Sequence, residues 1–223
     1  MLNKLKNFIL SLFIRFIYKR AIYKYFVKNI LPYMRFTNKY ARLDGLEFKE
    51  LYRLLEVGDI LFSIDRRKGS AAIIGGDWSH AALCVQKDET GIEVVEMVGT
   101  GYREVTFFDF CKEADEVAIK RCIDWDKEYI ARVVQEARSH KNAPYDVEFL
   151  FKNYAGNKSG SIEALYCSEH VFISDVDRRL DVDLTDLLGV GHLYLSPTGL
   201  YNAKNCVLVK RSRYLGKEKL TQS

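Results

Sequence analysis

The stretch Tyr166-Cys167-Ser168-Glu169-His170-Val171-Phe172 decides how this chain is read, together with an earlier one, Trp78-Ser79-His80-Ala81-Ala82-Leu83-Cys84-Val85. The first places a cysteine where a helix is predicted to begin. The second places a lone histidine at the head of an apolar strand. A sulfur at a helix N-terminus lies near the positive end of the helix dipole, which lowers its pKa and favours the thiolate. The free amides of that first turn can also hold an oxyanion. An imidazole facing the same point supplies the base that a cysteine nucleophile requires. Taken singly, each residue is more often a packing residue than a reactive one.

The other histidines are weaker candidates. His140 ends a predicted helix, His170 lies within one, and His192 follows Gly189 and Gly191 with no acid close by. A third member comes from hairpin register. With a turn at Lys87 to Gly91, His80 falls opposite Glu96 or its immediate neighbour, with Cβ atoms about 5 Å apart. Glu93 would then lie on the order of 10 Å away. Glu96 also sits between Val94 and Val98 on one strand face, where a carboxylate needs a partner. Its role would be to fix the ring tautomer and stabilise the imidazolium. A strand-edge glutamate reaching solvent is the competing reading.

At 223 residues, 48% hydrophobic and 29% charged, the chain has the composition of a folded protein with one substantial core. Its charge is unevenly placed. Lys4, Lys6, Arg15, Lys19, Arg20, Lys24, Lys28, Arg35, Lys39 and Arg42 all precede the first acidic residue, Asp44. The first 43 residues therefore carry about +10, which leaves about −6 for the remainder of a chain of net charge +4. The five cysteines, Cys84, Cys111, Cys122, Cys167 and Cys206, are odd in number and form no CxxC pair or zinc spacing. Reduced thiols in a reducing compartment are expected, with no metal.

Residues 2 to 31 read as a helix on which Asn3, Asn7, Ser11, Arg15, Lys19, Arg20, Lys24 and Lys28 form a narrow polar and basic stripe. Nearly everything else there is apolar or aromatic, a surface suited to the headgroup boundary of an anionic bilayer. The apolar run stops at Arg15, short of the roughly 20 residues needed to span. Packing on protein is one competing reading and a span or secretory signal another, though no small-residue cleavage site follows, and Pro32 ends the segment. Beyond it, Phe48, Leu51, Tyr52 and Leu55 predict a short amphipathic helix stopped by Gly58. Strands are predicted at Val57 to Phe62, Ser79 to Val85 and Ile92 to Val98, with a loop between the first two. Ile130, Val133, Val134 and Ala137 predict a helix with Asp124 or Asp126 as N-cap. A loop from Asn153 to Gly160 precedes the Cys167 helix, and short strands are expected near His192 to Leu195 and at Cys206 to Val209.

Taken in order, Gly58-Asp59-Ile60-Leu61, Ser79-His80-Ala81-Ala82, Val95-Glu96, Pro144-Tyr145-Asp146 and Tyr166-Cys167-Ser168-Glu169 form a spaced set. That set resembles the permuted NlpC/P60 papain-like proteins, specifically the YaeF/YiiX-like amidase branch, over residues 57 to about 175. Lecithin retinol acyltransferase-like proteins are more distant cousins. Histidine precedes cysteine, the reverse of papain's order, which is what circular permutation gives. The resemblance implies an α+β fold, an antiparallel sheet with packed helices, in residues 44–223 behind the basic amphipathic segment 1–43. By it, Cys167 matches the nucleophile, His80 the base and Glu96 the orienting residue, and Tyr145 or Tyr166 lines the oxyanion site. It calls for no cofactor. Two departures stand out: His170 replaces an expected apolar residue, so that Cys-Ser-Glu-His is similar to the Cys-Glu-His of the acyltransferase cousins, and the basic segment lies outside the common core.

The expectation is therefore a cysteine-dependent amide or ester hydrolase or acyltransferase, working through an acyl-thioester on a lipid or N-acyl substrate. It would be cytoplasmic and peripheral to an anionic membrane, with no nucleic-acid partner. The alternatives are a cell-wall peptide amidase, which would require export, and a catalytically silent membrane-binding scaffold.

Overall fold

Five consecutive buried residues, Ile60–Ile64 (β1), run through the interior of the main sheet. A strand covered on both faces reads as a continuous apolar run, and its neighbour His80–Asp88 (β2) does so from Ala81 to Val85. The computed structural model describes residues 43–68, 76–112, 114–146, 164–186 and 193–213, with Tyr25, Ile30, Met34, Ala71 and Ile74 as single positions. The predicted basic helix at residues 2 to 31 therefore lies outside the described residues except for Tyr25 and Ile30, as do His192 and the predicted loop at 153–160. Among the described residues, no helix is long and apolar enough to cross a membrane.

The chain runs through helix Gly45–Leu54 (α1), β1, β2, Gly91–Val98 (β3), Gly101–Thr106 (β4), Phe107–Cys111 (α2), Glu116–Cys122 (β5) and Lys127–Ser139 (α3). It continues through Cys167–Ser174 (α4), Thr185–Asp186 (β6), Leu193–Tyr194 (β7), Pro197–Tyr201 (α5) and Cys206–Arg211 (β8). Six strands form a sheet in the order β4-β3-β2-β1-β5-β8, every neighbouring pair antiparallel. One face carries Ile60, Phe62, Leu83 and Val95 against Tyr129 and Val133 of α3, Val171 of α4 and Leu200 of α5. The other carries Leu61, Ala82, Val94 and Ile119 against Leu51 of α1 and Phe107 and Phe110 of α2. This is the predicted α+β arrangement of an antiparallel sheet with helices packed on it.

Local chemistry sets the ends. Asp44 caps α1 by accepting from Leu46 N–H at 2.6 Å, and Asp126 caps α3 by accepting from Tyr129 N–H at 2.8 Å. Gly58 takes φ +89°, and a Cβ there would meet Ile130 at 2.9 Å, so the α1–β1 turn requires glycine.

Three expectations need correction. The β2–β3 turn is tighter than Lys87 to Gly91: Asp88 pairs with Gly91 around a two-residue turn at Glu89 and Thr90. The cysteines are not all free, because Cys122 and Cys206 are joined by a disulfide. They are register partners on β5 and β8, with Cα atoms 4.0 Å apart across 84 residues of sequence. The strands β4 and β5 and the helix α2 have no counterpart among the predicted elements. β5 carries Lys120 and Arg121 inside its run, which masks a strand from the pattern. Lys120 is buried because its ammonium donates to backbone carbonyls, including Ala203 at 3.1 Å.

Candidate active site

Cys167 opens α4, whose N-cap, Tyr166, has extended backbone and contributes no side-chain cap. The first-turn amides are therefore left to other acceptors. A parallel bridge aligns the approach: Tyr145 pairs with Leu165, Leu165 N–H donates to Pro144 at 3.0 Å and Asp146 N–H to Leu165 at 2.9 Å. Gly101 makes room for this segment, since a Cβ at its φ of +106° would sit 3.1 Å from the Ala143 carbonyl oxygen. Helix α4 is then buried along most of its length, including Ser168, Glu169 and His170. Ser168 Oγ donates to the Leu195 carbonyl at 2.7 Å, and His170 Nε2 donates to the Ala137 carbonyl at 3.1 Å.

His80 begins β2 opposite Ser63, at the end of the sheet where α4 starts. Its side chain is 21% exposed, and its Nε2 meets Oε2 of Glu96, whose own side chain is 2% exposed. This contact leaves Nδ1 as the nitrogen available to the sulfur, and His80 and Cys167 are hydrogen-bonded. The ring of Phe110 covers the imidazole with centroids 5.9 Å apart.

The charges support one another. Burial pushes the Cys167 thiol up, but the hydrogen bond and charge of His80 outweigh it, helped by the N–H groups of Ala81 and Ser168. Its pKa ends below the ordinary thiol value. Burial likewise disfavours the charged form of His80, yet Glu96 and Cys167 raise its pKa to about 9. Glu96 is held below the usual carboxylate range despite its burial, by His80 and then by Arg103. All three shifts favour a thiolate–imidazolium pair with a carboxylate behind it.

The structure brings Cys167, His80 and Glu96 together. Of the two tyrosines, Tyr145 packs in the small cluster that holds Cys167, and burial plus the sulfur's charge push its phenol well above the ordinary value. Tyr166 is engaged elsewhere: its hydroxyl accepts the Leu195 N–H at 3.1 Å and ties α4 to the segment after β7. Two residues were not legible in the sequence. Tyr194 lies close enough to the sulfur that burial and the Cys167 charge raise its pKa to about 12. Arg103 reaches Glu96 from β4, a strand the residue pattern did not reveal.

A family model described as permuted papain-like amidase enzyme, YaeF/YiiX, C92 family, matches residues 54–188. The chain belongs to that family. With it goes the coarse activity of the YaeF/YiiX amidases, that of a cysteine-type hydrolase, and the permuted papain-like fold. No curated protein matches the sequence. Among solved structures, the chain is similar to one titled metalloprotein YiiX from Escherichia coli O157:H7, at a TM-score of 0.58 and 18% identity over 72% of this chain and 99% of that one. At that identity the likeness shows the fold. The word metalloprotein describes that protein. Among the described residues of this YaeF/YiiX family member, no three His, Cys, Asp or Glu side chains are grouped to hold a metal.

Proposed function

We propose that the chain is a cysteine-dependent amide or ester hydrolase, or an acyltransferase, that forms an acyl-thioester from a lipid or N-acyl substrate at an anionic membrane surface. The observation that carries the chemistry is the set of groups on the Cys167 sulfur: His80 and the N–H groups of Ala81 and Ser168, at a helix start without a side-chain cap. The thiolate attacks the carbonyl carbon and forms a C–S bond, while the developing oxyanion takes amides of the α4 first turn. The His80 imidazolium gives its proton to the leaving nitrogen or oxygen as that bond breaks, leaving a thioester and a neutral ring. Water, or an acceptor alcohol or amine, then loses a proton to His80 and displaces the thiolate. Glu96 fixes the ring and balances its charge through both halves.

The substrate class is supported by two features. Tyr145 and Tyr194, with Ile74 in the cluster around Tyr194, supply an apolar and aromatic surrounding near the sulfur. Ten basic residues precede the first acid and suit an anionic bilayer, the cytoplasmic leaflet on this reading. The test is intact-mass analysis after incubation with a lipid extract. An acyl adduct on the wild type that is missing from Cys167→Ala supports the reading. An adduct that persists in the variant removes it.

A second reading is favoured by one observation. The Cys122–Cys206 disulfide suits an oxidising compartment, as would hold for an exported amidase acting on cell-wall peptides. Peptidoglycan fragments run through the same mass assay separate the two substrates. A catalytically silent scaffold would instead show no acid-shifted thiol reactivity at Cys167.

A further inference from the structure

Glu96 is almost fully enclosed, yet cations engage its two oxygens separately. Oε2 meets His80 Nε2, and Oε1 accepts from Nε of Arg103 at 2.7 Å and lies 2.7 Å from its Nη2 in an ion pair. Arg103 is the register partner of Glu96 on β4, and its side chain is 50% exposed. Arg103, Glu96, His80 and Cys167 thus form a line of alternating charge.

We propose that Arg103 is a positioning residue for this site, holding Glu96 ionised and turned towards His80 whatever the protonation state of the ring. The inference rests on the thiolate–imidazolium reading above. A carboxylate this buried, beside a neutral imidazole and with no other cation, would take the proton itself. Glu96 and His80 would then share one proton as a neutral pair, and the ring would no longer supply the positive charge that ionises Cys167. A guanidinium fixed on the far oxygen removes that option. It is permanently charged, and its nitrogens fix the direction as well as the charge. Among the described residues, the other groups facing this line are Asp109 of α2, which interacts with Arg103, and Tyr145 and Tyr194 beside the sulfur. None of them offers Glu96 a second cation.

The test is the rate of Cys167 alkylation by iodoacetamide against pH, followed by peptide mass mapping on the full chain, for the wild type, Arg103→Gln and Arg103→Lys. In Arg103→Gln the acid limb should move up by about one pH unit, so that labelling near pH 5 falls about tenfold while rates converge near pH 8. Arg103→Lys keeps the charge without the fork and should show the same shift at about threefold. A purely structural arginine would lower the melting temperature and leave the profile of the folded protein unchanged, which overturns the proposal. A limb that moves to lower pH also overturns it, and so does a shift in Arg103→Gln that is absent from Arg103→Lys, since Arg103 would then act only as a distant positive charge. If Arg103→Gln does not fold, Arg103→Lys decides by the same criterion. A wild type without acid-shifted reactivity at Cys167 is a distinct result, which removes the ion pair and this inference with it.

Discussion

Glu96 stands opposite Ala82, not opposite His80, and reaches the histidine along the diagonal of the β2–β3 hairpin. The hairpin closes with Asp88 opposite Gly91, and a register irregularity between Cys84 and Gln86 then sets Ala82 opposite Glu96, two residues along the strand from His80. The contact survives because Ala82 and His80 point to the same face of β2, so a diagonal neighbour still meets the ring. Glu93 pairs with Gln86 and lies 3.7 Å from Arg138, well along the strand.

The pattern of variants should follow that geometry. Cys167→Ala should abolish turnover, and His80→Ala should cost roughly 10³-fold or more, since the two act as one unit. Glu96→Gln keeps the shape without the charge and should lose at least about tenfold, with residual activity. Glu93→Gln should stay close to wild type. Steady-state kinetics on any substrate found by mass analysis checks the series, and a Glu93 variant weaker than the Glu96 variant would contradict it.

Thiol labelling should be selective. At mildly acidic pH, iodoacetamide should modify Cys167 ahead of Cys84, whose pKa burial pushes up to about 12, and Cys111, which burial raises as well. Under non-reducing, denaturing conditions three thiols should react, matching the free Cys84, Cys111 and Cys167. Five reactive thiols would show that Cys122 and Cys206 are unpaired.

The disulfide fastens the edge strand β8 to β5. Cys206→Ser should then lower stability by about 2–5 kcal/mol in chemical denaturation. The catalytic contacts lie on β2, β3 and α4, so labelling of Cys167 in the folded variant should be unchanged.

Acid should loosen the support behind the nucleophile helix. The rings of His140 and His170 stand 5.2 Å apart, and Nδ1 of His170 makes no hydrogen bond. Burial and the neighbouring ring lower the His170 pKa from the usual 6.5 to about 4. The folded state therefore binds fewer protons than the unfolded state between those values, so stability is full above pH 6.5 and declines as pH falls towards 4. His170→Leu should flatten that decline in urea titrations across the same range and leave the chemistry in place. His80 has the opposite sign. Its pKa rises to about 9, so its contribution is complete below 6.5 and fades between 6.5 and 9.

Removing residues 1–42, which keeps the Leu43 N–H bond to Ala114, should release the protein from anionic vesicles while the domain stays folded. Each basic residue near such a surface contributes up to about 1 kcal/mol, so binding by the full chain should weaken steeply with salt. Vesicle co-sedimentation with circular dichroism reads both outcomes. Unfolding of the shortened chain would show that the segment packs on the domain instead.

The sequence by itself determined a good deal. Apolar runs at 60–64 and 81–85, helical spacing from Ile130 to Ala137 and acidic caps are local signals, and the elements formed there. Cys167 at a helix start and His80 at a strand head were legible for the same reason, since each depends on its own few neighbours. The hairpin carried Glu96 because a short turn fixes which residues share a face. Tertiary structure decided the rest. Arg103 reaches Glu96 only through the β3–β4 pairing, and Tyr194 reaches the sulfur through a chain path of many residues, distances that periodicity does not encode. Cys122 and Cys206 meet because β8 returns to the edge of β5, at a sequence separation of 84. Burial of Lys120, His140 and His170 likewise depends on carbonyls and rings from other elements, and a pattern that places charged or polar residues outside has no means of anticipating those partners.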